Sequence, residues 1–252
     1  MSMTAAASLR YSLSGKSFSR RITAAGPALA ILSICTMNSA LHSFRFVTPV
    51  SYTHLDVYKR QVLTRDFFDH LSESWDETSP PQSKQIHTIL AACKIEPGCH
   101  VLDVACGTGV MIPELMAFGA SSVRAIDLSP KMAKRAAEKF GKHENVFVSV
   151  ADFYKFDERD FDIITAYNAY PHFLDKAGFA AAAKRCLKEG GRLIIAHGDG
   201  RDKINSMHKG HGTIQVSSEL LSPTDEAHRL TGFRPDLLLD REDIYILSGT
   251  FV

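Results

Sequence analysis

The sequence predicts an α/β fold, a doubly wound and mostly parallel sheet closed by an antiparallel hairpin. Three observations predict it. Residues 101–110 read VLDVACGTGV, an apolar strand that ends in an acid and a turn freed by Gly107 and Gly109. Two later apolar stretches, RAIDLSP at 124–130 and VFVSVAD at 146–152, again end in an acid. The last segments, 233–240 and 243–252, alternate as two strands of a hairpin.

A buried strand, an acid, a glycine turn and a helix together build a nucleotide site. Glycine lets the backbone approach the ligand, and the helix start offers free N–H groups. The strands ending at Asp103, Asp127 and Asp152 share one sheet edge, so the three carboxylates are expected to line one crevice. An acid at the end of the second strand is where a ribose is held by its hydroxyls. A nicotinamide fingerprint would need glycine at position 112, which is Ile112, and no phosphate-binding G-x-x-x-x-G-K-[ST] occurs.

The remaining elements follow in order. Ile86, Ile89, Leu90 and Cys93 recur at helical spacing over 83–93, and Glu96-Pro97-Gly98 turns the chain into the first strand. A helix over 110–118 closes at Gly119. Ser129 and Pro130 form the N-cap and first position of a helix reaching Phe140 and closed by Gly141. Residues 161–166 form a fourth strand, 175–187 an alanine-rich helix ended by Gly190-Gly191, and 192–197 a fifth strand. His197, Asp199 and Arg201 then open a polar loop, substrate-facing or a plain surface loop, that continues through Asn205 and His208 to His211. Ser222-Pro223 starts a helix to about Leu230, closed by Gly232.

In order and spacing, VLDVACGTG, AIDLSPKM, VSVADFYKFD, FDIITAYNAY and LKEGGRLIIA resemble the class I S-adenosylmethionine-dependent methyltransferases, over about residues 66–252. The resemblance implies a Rossmann-like methyltransferase fold with a seven-stranded sheet and one reversed strand. It implies S-adenosylmethionine as cofactor. Asp103 and the turn of Ala105, Cys106, Gly107 and Gly109 would hold the methionine end, and Asp127 the ribose. Asp152 would meet the adenine amino group, Leu128 would pack on the ring, and Phe153 would add a backbone N–H and a stacking face. Tyr167 would complete the cofactor contacts. Ala105 departs from the family, which usually has glycine there. The layout is most similar to the small-molecule branch that includes ubiquinone- and menaquinone-biosynthesis enzymes.

The transferred methyl should point at Tyr167-Asn168-Ala169-Tyr170-Pro171-His172-Phe173. This stretch does not fit the Asn-Pro-Pro-aromatic box of base and glutamine methyltransferases. Asn168, Tyr170, His172 and Arg201 are expected to face the acceptor. Phe68 and Trp75, in the aromatic and acidic segment 66–77, are expected on a lid or packed on the domain. His172 and His197 are the candidate general bases, since imidazole titrates near neutrality. Either could instead serve only as a hydrogen-bonding or capping residue.

A net charge of +1 from 29 basic and 28 acidic residues gives no basic footprint for nucleic acid. Five cysteines without a C-x-x-C pair read as reduced thiols in a cytoplasmic protein, with only Cys106 near chemistry. No metal is expected, because His197, Asp199, His208 and His211 lack a helix-facing pair such as H-E-x-x-H.

Residues 1–61 read differently and contain no acid before Asp56. An export signal and a transit peptide compete with a third reading. Residues 49–61, PVSYTHLDVYKRQ, resemble an adaptor-derived sequence that recurs in translated metagenomic assemblies, so 1–61 is expected to be foreign and 62–252 the functional domain. The apolar run 24–35 is too short to span a bilayer, which takes ~20 residues. The expected activity is direct methyl transfer to a small molecule. Aminopropyl transfer and non-catalytic cofactor binding are the alternatives.

Overall fold

The computed structural model describes residues 8–13, 16–21, 50–210 and 216–252. The apolar run 24–35 and His211 lie outside the described residues. Two compact units appear, Met1–Val47 and Thr48–Val252. In the first, β1 (Ser8–Leu13) and β2 (Lys16–Arg21) pair antiparallel.

The second unit holds the seven-stranded sheet. Its strands are β3 (His100–Val104), β4 (Ser122–Asp127), β5 (Val146–Val150), β6 (Phe161–Tyr167), β7 (Leu187–His197), β8 (Phe233–Arg241) and β9 (Ile244–Phe251). Their order is β5-β4-β3-β6-β7-β9-β8. Five strands run parallel from β5 to β7, while β9 pairs antiparallel with both β7 and β8. The expected α/β architecture, with one reversed strand in a C-terminal hairpin, is present.

Alternation along the strands makes the sheet two-faced. Leu193 and Ile195 of β7 join one buried cluster with Phe179, Ala183 and Cys186 of α6 (Lys176–Cys186). Ile194 and Ala196 join the other, with Ile86, Ile89 and Leu90 of α3 (Ser83–Ala92) and Ile112 and Leu115 of α4 (Ile112–Ala117). α5 (Pro130–Phe140) begins as expected, with Ser129 Oγ accepting from the Met132 amide. α8 (Pro223–Ala227) is likewise capped by Ser222, and ends sooner than Leu230.

Two boundaries differ from expectation. α6 passes straight into β7, which already pairs at Leu187 with Phe161, so Gly190-Gly191 lies inside the strand segment. The polar loop expected after His197 is largely a helix, α7 (Arg201–Gly210). Only Ile204 of its apolar residues is buried, and Gly198 and Gly200 precede it, so sequence periodicity gives the helix little signal. At the start of the unit, α1 (Val50–Leu71) runs across the expected domain boundary at residue 62, and α2 (Trp75–Thr78) follows.

Candidate functional site

The sheet reverses its winding between β3 and β6, and in such sheets ligands bind outside the carboxyl ends of the strands at that point. Asp103 and Thr165 face each other across it. The Thr165 hydroxyl donates to Asp103 Oδ1 at 2.8 Å. Asp103 Oδ2 is buried and finds no partner among the described residues. Burial pushes the Asp103 carboxyl up to about 7, with the nearby Asp127 charge adding to it.

The turn after β3 bends three times to positive φ, at Ala105 (φ 55°), Gly107 (φ 56°) and Gly109 (φ 88°). Gly107 presents open space where a Cβ would stand, so its backbone is approachable. Its amide donates to Asp127 Oδ2 at 2.8 Å, and the Ser129 amide donates to Oδ1 at 2.8 Å. Gly109 serves a different purpose. A Cβ there would stand 2.8 Å from the Phe140 ring, so glycine lets α5 close on the turn. Burial pushes Asp127 up to about 6 against those two amide bonds. Asp152 caps the 3₁₀ turn Phe153–Lys155 by accepting from the Tyr154 amide at 3.1 Å. The expected line of three acids at one edge therefore exists, and Leu128 stands half-buried beside it.

A strap from the N-terminal side lies along this edge, and sequence reasoning did not find its polar half. Gln61 Nε2 donates to Asp152 Oδ1 at 3.1 Å. Asp69 accepts from the Ser129 hydroxyl and from the Lys131 amide at the start of α5. Asp76 accepts from the Thr108 hydroxyl at 2.6 Å and pairs with Arg135 and Lys139 at 3.0 and 2.6 Å. Gln82 Oε1 accepts from the Tyr167 hydroxyl at 2.7 Å. The available signal was the run of acids in 66–77, a segment read from its aromatics as a lid or a packed helix, with no partner assigned to the acids.

The aromatic half of the strap meets the acceptor end. The Phe68 ring lies edge-on to Trp75, centroids 5.6 Å apart, and edge-on to His172 at 5.0 Å. All three are half-buried. Asn168 sits at φ 52°, and its Oδ1 accepts from the Gly198 amide at 3.0 Å, tying the ends of β6 and β7 together.

Several expected contacts fall elsewhere. Tyr170 is fully buried, and its hydroxyl donates to Glu226 at 3.3 Å, so it faces the core rather than the acceptor. Arg201 is held by Asp240 and Asp202, both at 3.3 Å, which turns its guanidinium toward the C-terminal hairpin. The Phe153 ring packs against Phe179 at 5.2 Å in the core rather than offering a stacking face at the sheet edge. The Cys106 thiol points into the core, where burial raises it well above the ordinary thiol range, so it is not near chemistry as a thiolate. His197 is 2% exposed and packs on Tyr245, with its Nε2 unpartnered among the described residues. Burial lowers it to about 3. Of the two candidate bases, His172 is the one brought to the aromatic wall.

Residues 102–195 match the family described as "Methyltransferase domain". The chain is 36% identical over 110 residues to the 2-methyl-6-phytyl-1,4-hydroquinone methyltransferase of Synechocystis sp., covering 43% of this chain and 35% of that protein. It is 31% identical over 143 residues to a ubiquinone biosynthesis O-methyltransferase of Xanthomonas oryzae pv. oryzae, covering 52% of this chain and 59% of that protein. The chain thus spans from about a third to three-fifths of the length of these relatives. The solved magnesium protoporphyrin IX methyltransferase of Synechocystis, with bound SAH, superposes with TM-score 0.59 at 17% identity, over 77% of this chain and all of that one. At that identity the likeness is one of fold.

Proposed function

We propose that this chain, whose residues 102–195 match a family described as a methyltransferase domain, is a class I S-adenosylmethionine-dependent methyltransferase that methylates a small ring-bearing acceptor of the phenol or quinol kind. The observation that carries the acceptor class is the Phe68–Trp75–His172 wall at the carboxyl end of β6. Two relatives named for hydroquinone and ubiquinone chemistry support it.

The residues at the edge fit the cofactor. Gly107 leaves room for close approach, and Asp103 keeps a buried oxygen unpartnered among the described residues. Asp103 and the turn backbone would hold the methionine end, Asp127 the ribose, and Asp152 with Leu128 and the Phe153 backbone the adenine. Bound there, S-adenosylmethionine supplies a methyl group on a sulfonium, which is a good leaving group. The protein's share is alignment and exclusion of water. Positioning alone can remove ~7–11 kcal/mol of a bimolecular barrier. The strap acids Asp69 and Asp76 hold the lid on α5 and on the turn, and Phe68 and Trp75 cover the acceptor side.

Residues 62–252 are proposed to carry this function. Gln61, which touches Asp152, is then an accessory contact. Among the described residues no helix is long and apolar enough to cross a membrane.

Calorimetric titration of the full chain with S-adenosylmethionine and S-adenosylhomocysteine tests the reading, with Asp127→Ala and NAD as controls. Micromolar binding that Asp127→Ala abolishes supports the site. Absence of binding in the folded chain removes the methyltransferase assignment. The same titration on a chain starting at Val62 tests the domain assignment. Label transfer to hydroquinone and catechol then tests the acceptor class.

A further inference from the structure

His172 ends the 3₁₀ turn Tyr170–His172, and its Nδ1 lies 2.8 Å from the carbonyl oxygen of Val216. A carbonyl can only accept a hydrogen bond, so Nδ1 carries the proton and Nε2 carries the lone pair. The tautomer is thus set by one backbone oxygen.

The segment that carries that oxygen is tied to its neighbours at Ser218 and Leu220. The Ser218 amide donates to Pro171 O at 2.8 Å, and the Ser218 hydroxyl donates to the same oxygen at 3.1 Å. Asn205 on α7 brackets Leu220: its Nδ2 donates to Leu220 O and its Oδ1 accepts from Leu220 N, both at 2.9 Å. This pair of bonds substitutes for a neighbouring strand. It binds α7 to the segment that carries the Val216 carbonyl. The His208 ring, on the same helix, lies 5.3 Å from the His172 ring.

We infer that Asn205 is a positioning residue which, through the segment 216–220, locks His172 in its Nδ1–H form and presents Nε2 as a base to a phenolic hydroxyl of the acceptor. This rests on the methyltransferase reading above. The acceptor oxygen forms its bond to the methyl carbon as the carbon–sulfur bond breaks. The electron pair of that bond stays on sulfur, and the hydroxyl proton passes to Nε2.

The surroundings fit that role. Burial lowers His172 to about 4, against the Val216 hydrogen bond and with help from His208 on α7 and Lys176 on α6. His197 on β7 is held neutral as well, by burial and by the same neighbours. The imidazole therefore stays unprotonated through the neutral range.

Long-range ¹⁵N–¹H correlation spectra of the histidine rings decide the tautomer. The full chain is labelled at histidine, and His172 is assigned by its loss in His172→Gln. The expected wild-type signal has a protonated Nδ1 and an unprotonated Nε2. In Asn205→Ala, with its melting curve confirming a folded chain, the signal moves toward an averaged mixture. With hydroquinone as probe acceptor, Asn205→Ala lowers kcat about tenfold or more with little change in KM, as general-base losses of up to ~10²–10⁴ allow. A wild-type Nε2–H tautomer overturns the inference, whether or not Asn205→Ala folds, and so does a folded Asn205→Ala with an unchanged tautomer. Methylation of hydroquinone by a wild type with the wrong tautomer keeps the proposed function and removes only this inference. The expected tautomer without hydroquinone methylation keeps the lock and removes the acceptor class.

Discussion

Asp76 accepts a 2.6 Å hydrogen bond from Thr108, 32 residues away, joining the N-terminal strap to the turn that follows β3. Burial alone would raise the Asp76 carboxyl, but hydrogen bonds from Lys139, Thr108 and Arg135 outweigh it and bring it down to about 2. A depressed carboxylate stabilises the folded state above its ordinary value of 3.8 and loses that contribution as pH falls toward 2. With its side chain 28% exposed, the contribution is on the order of 1–2 kcal/mol at neutral pH. Asp76→Asn should therefore melt several degrees lower at pH 7, with the gap shrinking in high salt and toward pH 2. It should also release S-adenosylhomocysteine faster. Calorimetry and stopped-flow displacement check both, and an unchanged melting temperature at low salt would refute the latch.

Asp103 works in the opposite direction. Burial raises it to about 7, so the free chain is most stable with this carboxyl protonated. The contribution is fully present below about 3.8 and is lost as pH rises through about 7. At ~1.4 kcal/mol per pH unit, ionising it costs a few kcal/mol. Asp103→Asn keeps an oxygen for the Thr165 hydroxyl and removes the charge. It should melt higher than the parent at pH 8, higher by a smaller margin at pH 5, and level with it only below about pH 3.8, while binding S-adenosylmethionine more weakly. Equal melting differences at both pH values would show that Asp103 is not protonated on folding.

Ala105 holds a backbone conformation that glycine adopts more easily, at φ 55°. A non-glycine residue there costs ~1–2 kcal/mol, and glycine adds ~0.4–1 kcal/mol of unfolded-state entropy. Ala105→Gly should stabilise the protein by about 0.5–1 kcal/mol, visible as a rise of a few degrees in melting temperature. A fall would mean that the alanine methyl packs usefully against the strap.

The aromatic wall should act on the acceptor and leave the cofactor alone. Trp75→Ala removes one side of the Phe68 contact. Its expected effect is a roughly tenfold rise in KM for hydroquinone, from ~1–1.5 kcal/mol of lost ring contact, with unchanged affinity for S-adenosylhomocysteine. A parallel loss of cofactor affinity would place Trp75 in the cofactor site instead.

Local patterns in the chain were enough for its architecture. The alternation of strands, the acids at three strand ends and the caps at Ser129 and Ser222 all report on neighbours within a few residues, and they appear where expected. The same holds for the left-handed turn at Gly107 and for the hairpin of β8 and β9. What a side chain meets across the fold is not a local property. Tyr170 read as an acceptor contact because it follows β6, yet the 3₁₀ turn points it down onto Glu226, 56 residues later. Arg201 read as an acceptor contact until β8 brought Asp240 to it. The partners of Asp69, Asp76, Gln82 and Asn205 were not legible, because hydrogen bonds between distant segments leave no periodicity in the sequence. The tertiary structure alone decided these pairings, since a hydrogen bond depends on ångström-scale distance and direction that only the packed sheet and helices supply.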